Sequence, residues 1–220
     1  MSIDKTAARQ RAYELAQRML PSGDFAGFFD AVYATAGGDA NWVPWADLQP
    51  HPVALAWLER QNVQGEGRSA LVVGCGLGDD AEELAGRGFH VTAFDVSPNA
   101  IAWCKQRFPA SSVNYQAADL LNAPAAWSQA FDFVLEVYTI QALPRELRTR
   151  AIAGIAQFVA PGGQLLVVCR GREPQEDPGT LPWPLTRAEL AQFEQNGLRE
   201  VSFEDVRDED GRHFRAWYER

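Results

Sequence analysis

The stretch Ser69–Asp95 constrains the fold more than any other part of the chain. It begins with the apolar run Ala70–Val73, which is too short for a helix and fits a buried strand of a parallel sheet. A turn with three glycines follows, made by Gly74, Gly76 and Gly78. The pattern then predicts a helix over 79–87 and a second strand over 90–94, which ends at Asp95. This order is typical of the nucleoside-binding half of a doubly wound sheet, where the acid binds the ribose hydroxyls.

Two classes of cofactor compete for the glycine turn. The spacing from Gly76 through Gly78 to Ala81 also fits the loose dinucleotide pattern, so spacing alone leaves NAD open. Asp79 and Asp80 stand at the predicted helix N-terminus, where a pyrophosphate needs free N–H groups and no competing anion. S-adenosylmethionine carries no phosphate and tolerates nearby acids. Either aspartate could instead cap the helix, which is compatible with this methyl donor.

Composition narrows the class of protein. The chain has 220 residues, enough for one domain with a sizeable core, and its net charge of −9 argues against a nucleic-acid surface. No run of about eighteen apolar residues predicts a membrane span, and the N-terminus lacks the apolar segment of a secretory signal. The three cysteines match neither a metal site nor a disulfide framework, so we expect a cytoplasmic protein without a metal.

Five motifs give the chain a family resemblance over residues 40–220. They are VVGCGLGDD, AFDVSPNAI, AADL, FDFVLEVYTIQAL and APGGQLLVV, in that order. Together they resemble the successive motifs of a class I S-adenosylmethionine-dependent methyltransferase, and the chain looks most like the small-molecule, thiopurine-methyltransferase-like branch. The resemblance implies an α/β, doubly wound (Rossmann-like) sheet of seven strands. Most strands would be parallel, and the alternating residues 198–207 and 213–220 predict the closing antiparallel hairpin.

A single domain with three parts is expected. Residues 1–40 would form a helical lid, 41–62 a loop rich in tryptophan and proline with a helix, and 63–220 the Rossmann-like core. The lid would close over donor and acceptor and exclude water, although plain packing is an equal alternative. We expect a monomer or a weak homodimer, with no nucleic-acid or membrane partner.

The resemblance also implies the residues that bind the donor. Trp45 lies in a "PW…P.P" segment whose tryptophan packs against the donor, and Leu48 stands where the family often has glycine. Asp119 would bind the adenine amino group beside Leu120. The full predicted donor set is Trp45, Gly74, Gly76, Gly78, Asp95, Val96, Asp119, Leu120 and Glu136.

Glu136 is the most informative carboxylate, because it lies near the end of the predicted strand 131–137 among apolar neighbours. A dry environment would raise its pKa and suit a general base or a partner for the donor's ammonium, with a purely structural role as the alternative. Tyr138 and His51 are auxiliary catalytic candidates. His90 and His213 begin strands, so we expect both to lie far from the site. The predicted acceptor contacts are Phe28, Tyr33, Trp42, Gln141, Arg172 and Trp183.

The predicted chemistry is in-line methyl transfer by proximity and desolvation. The resemblance implies a small acceptor with a soft nucleophile such as a thiol, and an oxygen or nitrogen acceptor is the alternative. A non-catalytic binding module for S-adenosylmethionine and an NAD-linked oxidoreductase remain as rival interpretations.

Overall fold

Seven strands form one mixed sheet in the computed structural model, which describes residues 5–220. The strands are β1 Ser69–Val73, β2 His90–Asp95, β3 Asn114–Ala117, β4 Phe131–Val137, β5 Val159–Arg170, β6 Arg199–Asp208 and β7 Gly211–Glu219. Their order is β3-β2-β1-β4-β5-β7-β6. Strands β1 to β5 pair in parallel, and β7 pairs antiparallel with both β5 and β6. The predicted doubly wound sheet with a closing hairpin is confirmed.

Helices cover both faces of the sheet, and the two N-terminal helices pack over the loops at its carboxyl edge. They are α1 Thr6–Met19, α2 Phe25–Ala36, α3 Pro52–Arg60, α4 Asp79–Gly86, α5 Pro98–Arg107, α6 Arg145–Phe158, α7 Arg187–Leu190 and α8 Gln192–Gln195. One core cluster packs α6 and α8 against the sheet, and a second packs α3, α4 and α5 against the other face. Strand β1 is inaccessible from both faces, as its apolar run predicts.

The strand order predicts a ligand-binding crevice at the carboxyl ends of the central strands. From β1 the chain moves outward through β2 and β3, then returns to place β4 on the other side of β1. This reversal separates the loops that follow β1 and β4, and ligands of open α/β sheets bind at such a point. The glycine turn, Asp95 and Glu136 all lie at this edge.

Two elements differ from the pattern in the sequence. The helix expected between Thr186 and Gly197 is divided into α7 and α8, although the predicted capping box of Thr186 and Glu189 is present. Strand β5 begins at Val159, earlier than the predicted Gln164, because Val159 pairs with Phe131 and an irregularity absorbs the intervening residues. The capping box could be predicted from local sequence, whereas the start of β5 depends on its pairing with β4.

Candidate functional site

The turn after β1 needs glycine for reasons of space as well as backbone conformation. Gly74 and Gly78 have φ of +60° and +92°, in the region that L side chains rarely adopt. A Cβ on Gly74 would lie 2.3 Å from Oγ1 of Thr139, and one on Gly78 would lie 2.5 Å from the hydroxyl of Tyr115. The space above Gly76 is closed by the Tyr33 hydroxyl, 3.3 Å from the position of a Cβ. The turn is therefore packed so closely against Thr139, Tyr115 and Tyr33 that these three positions need glycine.

Asp95 connects the glycine turn to the loop after β2. Its side chain is buried, with Oδ2 accepting from Gly76 N at 3.0 Å and Oδ1 accepting from Ser97 N at 2.9 Å. Burial raises its pKa to about 6. The neighbouring Val96 is half-buried. A carboxylate that orients two loops of the crevice is well placed for a polar ligand with hydroxyl donors.

Asp119 and Leu120 follow β3 at the same edge. Asp119 is exposed and caps a short 3-10 helix, Leu120–Asn122, by accepting from Leu121 N at 2.8 Å. Leu120 is buried in the core. The aspartate thus has a turn-capping role, and its contact with adenine stays a prediction.

The two aspartates at the start of α4 anchor neighbouring elements and do not cap the helix. Asp79 forms a two-point ion pair with Arg107 at 2.7 and 2.8 Å, and Asp80 accepts from His51 N at 2.8 Å. The helix N-cap is Gly78, with no side-chain cap bond. Burial raises the pKa of Asp80 to about 6. A pyrophosphate here would meet two acidic side chains.

Glu136 is a fully buried carboxyl beside the glycine turn, since it pairs with Val73 in the sheet register. Its Oε1 accepts from Thr139 N at 2.6 Å and from Ile140 N at 3.0 Å. Within residues 5–220, its Oε2 has no hydrogen-bond partner. Burial raises its pKa to about 7. An orphaned buried oxygen at the carboxyl end of β4 fits a donor group from a ligand, such as an ammonium.

The raised pKa of Glu136 predicts a pH-dependent stability. Its folded-state pKa of about 7 exceeds the ordinary 4.5, so the folded protein holds a proton that the unfolded chain releases between these values. The stability that depends on this proton is complete below pH 4.5 and is lost as pH rises through 7. Relative to Glu136→Gln, the wild-type free energy of unfolding should fall by about 3 kcal/mol across this window.

Urea unfolding of both proteins between pH 4.5 and 8 measures this difference. The variant keeps an acceptor oxygen for the two backbone N–H groups but cannot ionise. Asp80 and Asp95 titrate in both proteins, so their contributions cancel in the comparison. A difference that does not change with pH would contradict the burial argument.

Four side chains lie close together near the carboxyl ends of β4 and β5, namely those of Tyr138, His213, Asp208 and His51. The Tyr138 hydroxyl lies 2.6 Å from Nδ1 of His213, and the two rings are stacked. Nε2 of His213 lies 3.0 Å from Oδ1 of Asp208. The ring of His51 stands edge-on to Tyr138, with centroids 4.6 Å apart. Burial lowers the pKa of His51 to about 4, so this ring is neutral at pH 7.

The expected position of His213 is wrong. Its strand was correctly predicted, but β7 runs antiparallel to β5, so its first residues lie at the carboxyl ends of the parallel strands. His213 is therefore paired with Arg170, the last residue of β5. His90, which begins the parallel strand β2, lies at the opposite edge as expected. The hairpin pattern together with the sheet order was the signal that could have located His213 and Asp208.

The N-terminal helices pack over the glycine turn. Tyr33 of α2 is buried, and its hydroxyl accepts from Nε1 of Trp45 at 2.7 Å. Asp30 of α2 accepts from the Ser97 hydroxyl at 2.6 Å, which ties this helix to the loop after Asp95. Leu48 has φ of +55°, the conformation that favours a glycine there.

Two of the predicted acceptor contacts lie elsewhere in this N-terminal layer. Phe28 is buried against Phe29, with ring centroids 5.0 Å apart. Trp42 is 39% exposed, with the Arg11 guanidinium 5.4 Å from its ring centroid. Contact of either residue with an acceptor stays a prediction.

The remaining predicted acceptor contacts support the loop after β5. Gln141 is buried, and its Oε1 accepts from Arg170 N at 2.6 Å. The backbone N–H of Trp183 donates to the backbone oxygen of Gln141 at 2.8 Å, and the Arg172 guanidinium donates to the backbone oxygen of Pro184 at 3.1 Å. Their observed contacts hold the loop in place, and their contact with substrate stays a prediction.

Neither a metal centre nor a membrane helix is found in the part of the chain that the structure describes. No group of three or more His, Cys, Asp or Glu residues among 5–220 is arranged to hold a metal ion. Over the same residues, every helix is too short or too polar to cross a bilayer.

Proteins of similar sequence carry methyltransferase names. Residues 70–163 match the protein family described as "Methyltransferase domain". The chain is 31% identical over 130 residues to the ubiquinone biosynthesis O-methyltransferase of Aromatoleum aromaticum, covering 56% of this chain and 54% of that protein. It is 26% identical over 140 residues to the enzyme of the same name from Dechloromonas aromatica, covering 61% and 59%. The chain thus spans little more than half the length of these curated relatives.

Solved structures share the fold. One is the 1,6-didemethyltoxoflavin-N1-methyltransferase of Burkholderia thailandensis, with a TM-score of 0.69, 18% identity, and coverage of 90% of this chain and 89% of that one. Another is the N-methyltransferase NodS of Bradyrhizobium japonicum in complex with S-adenosylhomocysteine, with a TM-score of 0.67, 22% identity, and coverage of 86% and 98%. Residues 70–163 are thus similar to a methyltransferase domain, and the chain shares its fold with these solved structures.

Proposed function

We propose that this protein is an S-adenosylmethionine-dependent methyltransferase that acts on a small molecule. The observation that carries the proposal is the set of groups at the carboxyl ends of β1, β2 and β4. There the glycine turn and the buried Asp95 lie at the same edge of the sheet as Oε2 of Glu136, which has no hydrogen-bond partner among residues 5–220. This set offers a close backbone approach, an acceptor for hydroxyls and a partner for a cation. Those are the needs of an amino-acid-linked nucleoside without phosphate.

The chain's residues would share the work of binding. Asp95 would accept from the ribose hydroxyls, Asp119 from the adenine amino group, and Glu136 from the ammonium of the donor. When bound, the donor supplies an electrophilic methyl group. Trp45 and the helix that carries Tyr33 would shield the crevice from water, which is the lid role we propose for the N-terminal helices.

The acceptor is proposed to be a small hydroxyl-bearing molecule. The curated relatives are named O-methyltransferases, which favours oxygen over the thiol implied by the thiopurine-methyltransferase resemblance. A small thiol remains the second candidate. Free Cys75, Cys104 and Cys169 are compatible with the reducing cytoplasm that we propose as the location.

An NAD-linked oxidoreductase is the rival from another reaction class. The acidic side chains of Asp79 and Asp80 at the start of α4 oppose a pyrophosphate there. A binding module without catalysis is the other rival, and only turnover separates it from an enzyme.

Transfer of tritium from methyl-labelled S-adenosylmethionine tests the proposal. We expect label in extracted product with catechol as the acceptor, and calorimetry should show binding of S-adenosylhomocysteine but not of NADH. Thiophenol in a parallel reaction tests the thiol alternative. Binding of S-adenosylhomocysteine without transfer to either acceptor would favour the binding module. Binding of NADH alone would reject the methyl donor.

A further inference from the structure

We propose that Asp208, His213 and Tyr138 form a proton relay that takes the proton from a hydroxyl group of the methyl acceptor. This inference rests on the proposed function and deepens it, because it assigns an acceptor that must be deprotonated. His213 and Asp208 would be positioning residues, acting on the acceptor through Tyr138.

The hydrogen bonds define a direction for the proton. The Asp208 carboxylate can only accept, so Nε2 of His213 carries the hydrogen in their 3.0 Å bond. In that tautomer Nδ1 carries no hydrogen and accepts, so the Tyr138 hydroxyl donates to it at 2.6 Å. The Tyr138 oxygen consequently keeps its lone pairs for a second donor. A substrate hydroxyl is such a donor.

The backbone at Tyr138 supports a functional role. This residue has φ of +63°, a conformation that costs energy for a bulky L residue and is concentrated at functional sites. Its N–H donates to Val168 O at 2.9 Å, which fixes it just beyond the end of β4. The strained conformation aims the ring at His213, across the end of β5.

Other charged and titratable groups face Tyr138 from several elements. The Arg170 guanidinium at the end of β5 lies 5.7 Å from its ring centroid. The hairpin turn contributes Asp208 and Asp210, and His51 approaches from the segment before α3. Nδ1 of His51 is buried and has no partner among the residues described. A neutral His51 leaves Asp208 as the counterion for a proton held on His213.

Each proton and electron pair in the proposed step can be accounted for. The acceptor O–H bond breaks, and its proton moves to the Tyr138 oxygen while the Tyr138 proton moves to Nδ1 of His213. The electron pair left on the acceptor oxygen forms the new bond to the methyl carbon, whose former bonding pair stays with the donor sulfur. The resulting imidazolium is paired with Asp208 and later releases its proton to solvent. An alcohol or phenol needs this help, whereas a thiol needs less.

The tautomer of His213 gives a test that does not depend on turnover. Long-range ¹H–¹⁵N spectra of the ¹⁵N-histidine-labelled full chain at pH 8 should show a protonated Nε2 and a bare Nδ1 for His213. The chain has three histidines, so His90→Gln and His51→Gln complete the assignment. Tyr138→Phe should shift the Nδ1 resonance of His213 alone. A protonated Nδ1, or no response to Tyr138→Phe, would overturn the relay.

Kinetics with two phenols supply the second test. With catechol, His213→Gln and Tyr138→Phe should each lower kcat by about 100-fold, the scale of general-base catalysis, while the affinity for S-adenosylhomocysteine stays within about threefold. The loss should be smaller with 4-nitrocatechol, because this phenol ionises more readily without help. His90→Gln, an exposed histidine at the opposite edge, should match the wild type.

The outcomes separate the relay from the proposed function. Equal losses with both phenols would indicate a structural role and reject the relay. Methyl transfer at wild-type rates by His213→Gln would also reject it. If a variant does not fold, Asp208→Asn at the exposed turn replaces it, with an expected loss of about 10-fold and the same dependence on the phenol. No transfer and no binding of S-adenosylhomocysteine by wild type would reject the proposed function and the relay with it, while wild-type transfer with the other His213 tautomer would reject the relay alone.

Discussion

Replacing Gly78 by alanine is expected to weaken the binding of S-adenosylhomocysteine by at least about 100-fold and to destabilise the fold by about 2–4 kcal/mol. The new Cβ would lie 2.5 Å from the Tyr115 hydroxyl and 3.2 Å from Sγ of Cys104. The Tyr115 hydroxyl is held by Glu82 at 2.6 Å, so it cannot move without breaking that bond. The φ of +92° adds strain of about 1–2 kcal/mol for a residue with a side chain.

Gly86→Ala is the matched control for this substitution. Gly86 ends the same helix and needs no left-handed backbone, and a Cβ added there would meet no neighbouring side chain or loop within 4 Å. Alanine at this position should leave the affinity unchanged and raise stability by about 0.5–1 kcal/mol. Calorimetric titration and urea unfolding measure both quantities. Wild-type affinity in a folded Gly78→Ala protein would show that the turn does not hold the ligand.

Asp95→Ala should weaken S-adenosylhomocysteine by about 5- to 150-fold, which corresponds to about 1–3 kcal/mol. The substitution removes the proposed ribose contact and also releases the N–H groups of Gly76 and Ser97. Asp95→Asn keeps one acceptor oxygen, so its affinity should lie between those of the wild type and the alanine variant.

Asp132→Ala is the control that separates an effect on ligand affinity from an effect on the free energy of unfolding. Asp132 also accepts from a backbone N–H, that of Ser69 at 2.8 Å, but it lies at the amino ends of the strands. We expect it to lower the free energy of unfolding without changing the affinity for S-adenosylhomocysteine. Equal affinities for Asp95→Ala and Asp132→Ala would reject the ribose assignment.

Local patterns in the sequence were sufficient for most of the architecture. Strand β4 has the predicted bounds, because the mostly apolar residues 131–137 define it. The glycine turn and Asp95 were found for the same reason. Both belong to one continuous stretch of sequence, so a local pattern is enough to identify them.

The position of His213 depends on the sheet order and was not predicted correctly. His213 reaches the carboxyl edge only because β7 is inserted antiparallel beside β5, and its partner Asp208 comes from the turn before it. Tyr138 was a candidate by its position after β4, but its left-handed backbone and its bond to His213 depend on contacts distant in sequence. A periodic pattern carries no information about such contacts.

The loop after β5 shows the same limit. Its position at the carboxyl end of β5 predicts that Arg172 contacts an acceptor, and this contact stays a prediction. The structure adds that the Arg172 guanidinium donates to backbone carbonyls of the loop, a set of contacts that depends on the path of the chain and that composition does not define.

A crystal structure of the full chain with S-adenosylhomocysteine tests the central claim most directly. We expect the ribose hydroxyls within hydrogen-bond distance of Asp95 and the amino group of the ligand within hydrogen-bond distance of Oε2 of Glu136. We also expect the ligand to lie against the backbone of Gly76, with its sulfur open to the side chains around Tyr138. A ligand bound elsewhere, or one that leaves Asp95 and Glu136 without contact, would contradict it.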